Sequence, residues 1–488
     1  MSRARIYVIG AGFAGRAIAR EIREKGVFGR VVAFLDDDPA KIGRRMEDVP
    51  VLGPIEEVVA LVEKNPADEA LIAIPSASRE KLRELHGVLR RARFNRIRIL
   101  PTVSQIVGDD AHFIQTRQLD PQDLLGRTPV NINLREALSY LRGRRVLITG
   151  AGGSIGSELA RQLLSGGAER LYLLGHGENS IYEIEAELRL LQEEGVGESA
   201  QIVPVIGELT DRTYLDFLLQ RLRADVIFHT AAYKHVPMME ANPVAAIQNN
   251  VFGTRNLLEA AGQAGVSRVV FISTDKAVSP VSVYGASKSL AERIMLESNR
   301  PCDTMVVRFG NVLASRGSIL PLFRRQIEKG GPVTITDRRA TRFFMTIPEA
   351  VSLVLKAGGV GISGELYALD MGEPVNIMDL AEQLIRFYGY TPGRDIAIRE
   401  TGLRQGEKLT EQLVSGYETL RTTPFERIFR VDRSSAPPVN LEQLLDDLRP
   451  VCFFDPTRPE IYRNRRRLRQ VLTGAFPDLL QNPQEPEY

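Results

Sequence analysis

Two glycine-rich turns, each set between an aliphatic run and a helical pattern, constrain this chain more than any other feature. The first reads Ile6-Tyr-Val-Ile-Gly10-Ala-Gly12-Phe-Ala-Gly15, continues as a helical pattern through Glu24, and is followed by Val31-Val-Ala-Phe-Leu-Asp36. The second reads Arg145-Val-Leu-Ile-Thr-Gly150-Ala-Gly-Gly153-Ser-Ile-Gly156 and runs into Ser157-Glu-Leu-Ala-Arg-Gln-Leu-Leu. A strand that turns into a helix through glycines exposes backbone N–H groups at the helix N-terminus, where a phosphate can approach only if side chains are absent. In the first turn an acid, Asp36, stands about twenty positions beyond the glycines, the spacing of a dinucleotide-binding unit. Gly10, Gly12, Gly15 and Asp36 suit either a second nucleotide site or strand–helix packing alone.

Downstream of each turn, strand and helix signals alternate. Strands are predicted at Glu69–Pro75 and Arg96–Pro101, then at Glu169–Leu174, Gln201–Ile206, Asp225–Thr230, Arg268–Ser273 and Thr304–Phe309. Such alternation requires parallel sheets covered on both faces. A chain of 488 residues also exceeds one ordinary core. The expected fold class is α/β: two tandem Rossmann-like, doubly wound parallel-sheet domains with a small C-terminal substrate-binding lobe. The expected boundaries are 1–116 for the first domain, 117–143 for a linker punctuated by Pro121, Gly126 and Pro129, and 144–315 for the second domain. The lobe would cover 316–432 and a C-terminal extension 433–488. In that extension Arg463-Asn-Arg-Arg-Arg-Leu-Arg reads as a solvated helix face, followed by a frayed end.

Composition excludes several classes. With 63 basic and 61 acidic residues the net charge is +2, which gives no electrostatic case for nucleic acid. Two distant cysteines, Cys302 and Cys452, fit a reducing compartment. His86, His112 and His229 have no partners at metal-ligand spacing, so no metal is expected. No signal peptide and no apolar run of membrane-spanning length is visible, which makes the cytoplasm the default.

Chemistry concentrates after the run Val269–Ser273. There Thr274, Asp275 and Lys276 are followed by Tyr284-Gly-Ala-Ser-Lys288. Ligands of open α/β sheets sit at the carboxyl ends of strands, and titratable groups are costly to desolvate there unless they react. Taken singly, a Tyr-x-x-x-Lys is a chance helical pattern and an Asp-Lys pair a surface ion pair; their shared position behind a strand and a glycine turn argues for function. The strand expected to end at Leu174 continues Gly175-His176-Gly177 with no acid. A 2′-phosphate would meet no repulsion there and would find His176, which favours NADP; in the alternative, Glu178 takes a ribose and NAD is bound.

Several segments together resemble the extended short-chain dehydrogenase/reductase superfamily. They are Thr149-Gly-Ala-Gly-Gly-Ser-Ile-Gly, Ala231-Ala-Tyr-Lys-His-Val-Pro, Asn249-Asn-Val-Phe-Gly-Thr, Ser273-Thr-Asp-Lys-Ala and Tyr284-x-x-x-Lys288. More narrowly they look like the nucleotide-sugar 4,6-dehydratases of capsule, O-antigen and flagellin-glycan synthesis. Arg308-Phe-Gly-Asn311-Val, Ser315-Arg-Gly-Ser, Thr341-Arg-Phe-Phe-Met-Thr-Ile-Pro-Glu and Gly402-Leu-Arg-Gln-Gly-Glu-Lys408 extend the likeness over nearly the whole chain. Larger members carry membrane helices ahead of the first nucleotide-like domain, so a soluble variant is expected here.

The resemblance implies a UDP-N-acetylhexosamine substrate, first UDP-N-acetylglucosamine, converted to a 4-keto-6-deoxy sugar. It also implies a tightly bound, recycled NADP or NAD, and a homo-oligomer. The dinucleotide would contact Gly150, Gly153, Ser154, Ile155 and Gly156, then His176, Glu208, Leu209, Ala231, Ala232 and Lys288. Tyr284, with its phenolate stabilised by Lys288, would take the proton from the C4 hydroxyl beside Thr274. Lys276 would be the base at C5, which requires it to be neutral, and Asp275 the acid, or the two roles would be exchanged. Lys234 and His235 would face the sugar, with packing as the rival role for His235. Arg316, Arg342 and Arg404 would clamp the diphosphate, with Asn311 and Glu407 on the same ligand. The chain departs from the family in three places. Lys276 replaces the glutamate of the glucose dehydratases, Tyr284 stands where many large members have methionine, and Gln405 replaces a proline. A C4 epimerase on the same substrate and a non-catalytic nucleotide sensor remain the rival functions.

Overall fold

The computed structural model describes residues 4–26, 29–74, 77–94, 96–100, 117–118, 138–297, 301–434 and 439–479. His112, the linker residues Pro121, Gly126 and Pro129, and the last residues of the tail lie outside them. Two units form, Met1–Asn131 with Glu382–Ala397 and Ile132–Ala381 with Ile398–Tyr488.

In the first unit a seven-stranded sheet runs in the order Arg45–Met46, Val49–Gly53, Arg30–Leu35, Arg5–Ile9, Glu69–Ile72, Arg96–Ile99, Arg117–Gln118. Its five central strands are parallel and its two outer ones antiparallel. Period-two alternation sends Tyr7 and Ile9 to one face and Ile6 and Val8 to the other, so both faces need cover. Leu82, Leu85 and Leu89 of the helix Arg79–Arg91 cover one; Ile18, Ala19 and Ile22 of Phe13–Lys25 cover the other. Gly15 is required for that second contact, because a Cβ there would fall 1.9 Å from the Gly10 carbonyl oxygen.

The second unit repeats the plan on a nine-stranded sheet. Its order is Gln201–Ile206, Arg170–Gly175, Arg145–Thr149, Val226–His229, Arg268–Thr274, Asp303–Phe309, Glu365–Leu369, Ile428–Asp432, Thr419–Thr422. All neighbours are parallel as far as Glu365–Leu369, and the last two strands are antiparallel. The chain steps outward from Arg145–Thr149 on one side and then returns to build on the other. This reversal opens a crevice at the carboxyl ends of Arg145–Thr149 and Val226–His229. The expected α/β class with two doubly wound sheets is present. Short strand pairs, including Thr341–Arg342 with Val375–Asn376 and Val333–Ile335 with Ile398–Glu400, lie beyond Phe309.

The basic run near the C-terminus departs from its expected role. In the helix Arg465–Ala475, Arg466 and Arg467 are exposed, but Arg469 is only 4% exposed and donates to Glu240 Oε2 at 2.8 Å. Positions one or two apart on a helix face different ways, so one basic run serves both water and core. Both cysteines are buried. No helix among the described residues is long and apolar enough to cross a membrane.

Candidate active site

The crevice begins at the second glycine turn. Gly150 adopts φ +68°, and a Cβ there would lie 2.8 Å from the Ala231 backbone, so the two strand ends touch only because the residue is glycine. A Cβ on Gly156 would meet the Gly150 oxygen at 2.3 Å. The helix Ser154–Ser165 starts on Gly153 with no side-chain cap and no acid in its first turn. An uncapped helix N-terminus of this kind fits a pyrophosphate. Leu209 is buried against Gly253, Glu208 is exposed, and Ala232 lies part-buried beyond Ala231. His176 is exposed, its ring edge-on to Tyr233, while Glu178 opens the next helix.

Next along the sheet, the strand Arg268–Thr274 ends in a single tight turn, Asp275–Ala277, and the helix Val283–Glu297 follows. These elements bring Thr274, Asp275, Lys276 and Tyr284 together. Asp275 is fully buried; its Oδ1 accepts from the Thr274 hydroxyl at 2.9 Å and from Lys276 Nζ at 3.0 Å, while its Oδ2 has no hydrogen-bond partner among the described residues. Lys276 Nζ also donates to Asn311 Oδ1 at 3.1 Å and lies 3.6 Å from Glu411 Oε1. Gly310 packs closely against this group, since a Cβ there would stand 3.2 Å from Asp275 Oδ2.

The electrostatics oppose the neutral lysine expected as base. Burial alone would lower Lys276, but Asp275 and Glu411 outweigh it and raise the ammonium above the ordinary lysine range. Burial pushes the Tyr284 phenol up to about 12, opposed by the Lys276 charge and a Thr274 hydrogen bond. Lys276 thus acts on Tyr284 through its charge. Lys288, four residues along the same helix, donates to the Ile272 carbonyl at 2.7 Å, sits 3.8 Å over the Phe271 ring, and is pushed down to about 7 by burial.

The remaining sequence-predicted residues scatter. Lys234 and His235 are exposed, and the His235 ring packs on Gly317, where a Cβ would fall 2.4 Å from Cε1. Arg316 reaches the Gly152 carbonyl at 3.1 Å and Glu183 at 2.7 Å. Arg342 donates to the carbonyls of Thr341, Lys408 and Leu409, and Arg404 pairs with Glu407. In the first unit, Asp36 turns inward: its Oδ2 accepts from the Ala11 N–H at 2.7 Å, and Lys41 lies 3.1 Å away. Burial would raise the Asp36 carboxyl, but the Asp38 and Ala11 N–H groups and Lys41 outweigh it and hold it low. Gly12 caps the helix Phe13–Lys25 without a side-chain hydrogen bond.

Three features escaped the sequence reading. Glu411 arrives from a distant loop. Arg308, 2% exposed, bonds Glu292 through Nη2 at 2.7 Å and Glu418 through Nη1 at 2.9 Å, tying the helix Val283–Glu297 to that loop. Glu240 accepts the Val283 N–H at 2.7 Å and so caps the same helix. Only the buried position of a charged residue signals such pairs, and burial is not written locally. Among the described residues no group of His, Cys, Asp and Glu could hold a metal ion.

Comparison with known proteins agrees with this architecture. Residues 146–433, more than half of the chain, match the family described as "Polysaccharide biosynthesis protein", and residues 2–101 match "CoA-binding domain". The chain is 40% identical over 446 residues to the capsular polysaccharide biosynthesis protein CapD of Staphylococcus aureus, covering 90% of this chain and 74% of that protein. It is 37% identical over 232 residues to a UDP-glucose 4-epimerase of Rickettsia akari, covering 46% and 66%. It is 30% identical over 298 residues to a UDP-N-acetylglucosamine 4,6-dehydratase (inverting) of Campylobacter jejuni, covering 60% and 84%. The chain belongs to the polysaccharide biosynthesis family of extended short-chain dehydrogenase/reductases and is an enzyme of their nucleotide-sugar dehydratase and epimerase group.

Proposed function

We propose that the protein is a 4,6-dehydratase that converts a UDP-N-acetylhexosamine, first UDP-N-acetylglucosamine, to its 4-keto-6-deoxy derivative. The observation that carries this reading is the buried Asp275 carboxylate with one unpartnered oxygen, bonded to a charged Lys276 beside Tyr284. Exchange of hydrogen at C4 needs one proton acceptor for the C4 hydroxyl. Elimination across C5–C6 needs a further base and a further acid, and this pair supplies both.

Gly150, Gly153, Ser154, Ile155 and Gly156 would hold the dinucleotide pyrophosphate, with Ala231 and Ala232 along its path. When bound, the nicotinamide supplies the hydride acceptor and donor. Tyr284 Oη takes the C4 hydroxyl proton, helped by the Lys276 charge and the Thr274 hydroxyl. Asp275 Oδ2 is free to accept the C5 proton. Lys276 Nζ gives its proton to the departing 6-hydroxyl, which leaves as water. This exchanges the roles first expected for the pair, because two carboxylates favour an ammonium over an amine. The exposed strand end at His176 supports NADP, with NAD as the alternative through Glu178. The inward-turned Asp36 favours strand–helix packing over a second ribose contact in the first unit.

Mass spectrometry of the product from UDP-N-acetylglucosamine tests the reading. A product lighter by one water supports it. A product of unchanged mass would overturn it in favour of the C4 epimerase, the activity named for one relative.

A further inference from the structure

We propose that Glu411 is a positioning residue of the dehydration centre: its carboxylate faces Lys276 and holds that side chain as the proton donor to the leaving hydroxyl. The proposal rests on the dehydratase reading and adds a second carboxylate to its site. Glu411 is 8% exposed, its Oε1 stands 3.6 Å from Lys276 Nζ, and its Oε2 has no hydrogen-bond partner among the described residues. Lys408 Nζ lies 3.7 Å from Oε2, and that ammonium donates to the Val278 carbonyl at 2.7 Å. A buried carboxylate with one oxygen outside any hydrogen bond among the described residues, and within ion-pair distance of two ammoniums, acts through its charge.

Every element packed around Lys276 contributes to that balance. Its own turn supplies Asp275, the catalytic helix supplies the phenol of Tyr284, and the residues after the strand Asp303–Phe309 supply the neutral Asn311. The loop beyond Gly402 supplies Glu411 and Lys408. Without Glu411, one carboxylate would face two ammoniums, and Lys276 would lose its proton at lower pH.

The loop is built to hold this position. Arg342 spends its guanidinium on the Lys408 and Leu409 carbonyls at 2.7 and 2.9 Å, just before Glu411. Arg308 grips the Leu413 carbonyl at 2.8 Å and, through Glu418, the Ser415 N–H. Two arginine contacts thus bracket Glu411. Both belong to motifs that the sequence linked to ligand binding.

Trace labelling with acetic anhydride at graded pH, read on the Lys276 peptide by mass spectrometry, tests the coupling directly. The wild type, Glu411→Gln, Glu411→Asp and Lys408→Met are compared, alongside kcat and KM for water loss. In Glu411→Gln, Lys276 becomes reactive at a pH lower by about one unit, roughly a tenfold gain at fixed pH. The alkaline limb of kcat falls with it while KM changes little, and Glu411→Asp restores most of both. Lys408→Met, which removes the neighbouring like charge, moves Lys276 labelling to higher pH; it gives an independent arm should Glu411→Gln fail to fold. Unchanged Lys276 labelling in folded Glu411→Gln or in Lys408→Met overturns the proposal. If the wild type released no water, the dehydratase reading would fall, while the labelling would still decide whether Glu411 controls Lys276.

Discussion

At the scale of single residues, burial sets the protonation states on which the chemistry depends. Tyr284 is held up to about 12 by burial, so the neutral phenol is favoured through neutral pH. In the dinucleotide-free protein, ultraviolet titration compared with Tyr284→Phe should therefore show the Tyr284 phenolate only above about pH 11. An oxidised nicotinamide bound alongside, being positive, should bring that onset down. Lys288 behaves oppositely. Its folded value is depressed to about 7, so between about pH 7 and 10 the unfolded chain holds a proton that the folded one lacks. Stability should thus rise with pH across that window, by an amount on the order of a few kcal/mol, and be lost as pH falls toward 7. Urea midpoints measured from pH 7 to 10 should show this slope in the wild type and lose it in Lys288→Met.

At the scale of elements, the helix Val283–Glu297 is the part everything else holds in place. It carries Tyr284, Lys288 and Glu292 on one face, at successive intervals of one turn. Glu292 joins it to Ser273 and Arg308, and Glu240 caps its first N–H group. The Glu240 carboxylate is paired in turn with Arg469 from the C-terminal helix. Removing one partner of such a buried pair leaves an uncompensated charge, so Arg469→Ala should lose roughly 3–5 kcal/mol. Denaturant midpoints check the magnitude, and peptide-level hydrogen exchange should place the loosening at the start of the catalytic helix.

At the scale of the whole molecule, each unit has its own sheet with apolar cover on both faces. Gly15→Val, which forces a side chain into the Gly10 carbonyl, should lower protection from exchange in the first unit and leave the strands of the second unaffected. Gly150→Val should do the reverse and abolish dinucleotide binding, measured by calorimetry, because the turn then has no room against Ala231.

Much of this was legible in the chain. The run Arg145–Thr149 and its glycines announced a strand, a turn and a helix, because buried parallel strands are apolar at every position and only glycine permits the turn. The Asp275–Lys276 pair and Tyr284 were legible for the same local reason, lying just beyond one such strand. Their protonation was not. Glu411 meets Lys276, Glu418 meets Arg308 across 110 positions, and Arg469 meets Glu240 across 229. Nothing local to these residues marks them as partners. Likewise no local pattern assigns Glu382–Ala397 to the first unit. Periodicity and turn chemistry are short-range properties that a chain carries wherever it is placed, and they determined the strands, the glycine turns and the chemistry-bearing cluster. The charge that a buried side chain keeps depends on which distant groups the folded chain brings within a few ångströms, and that was decided only by tertiary structure.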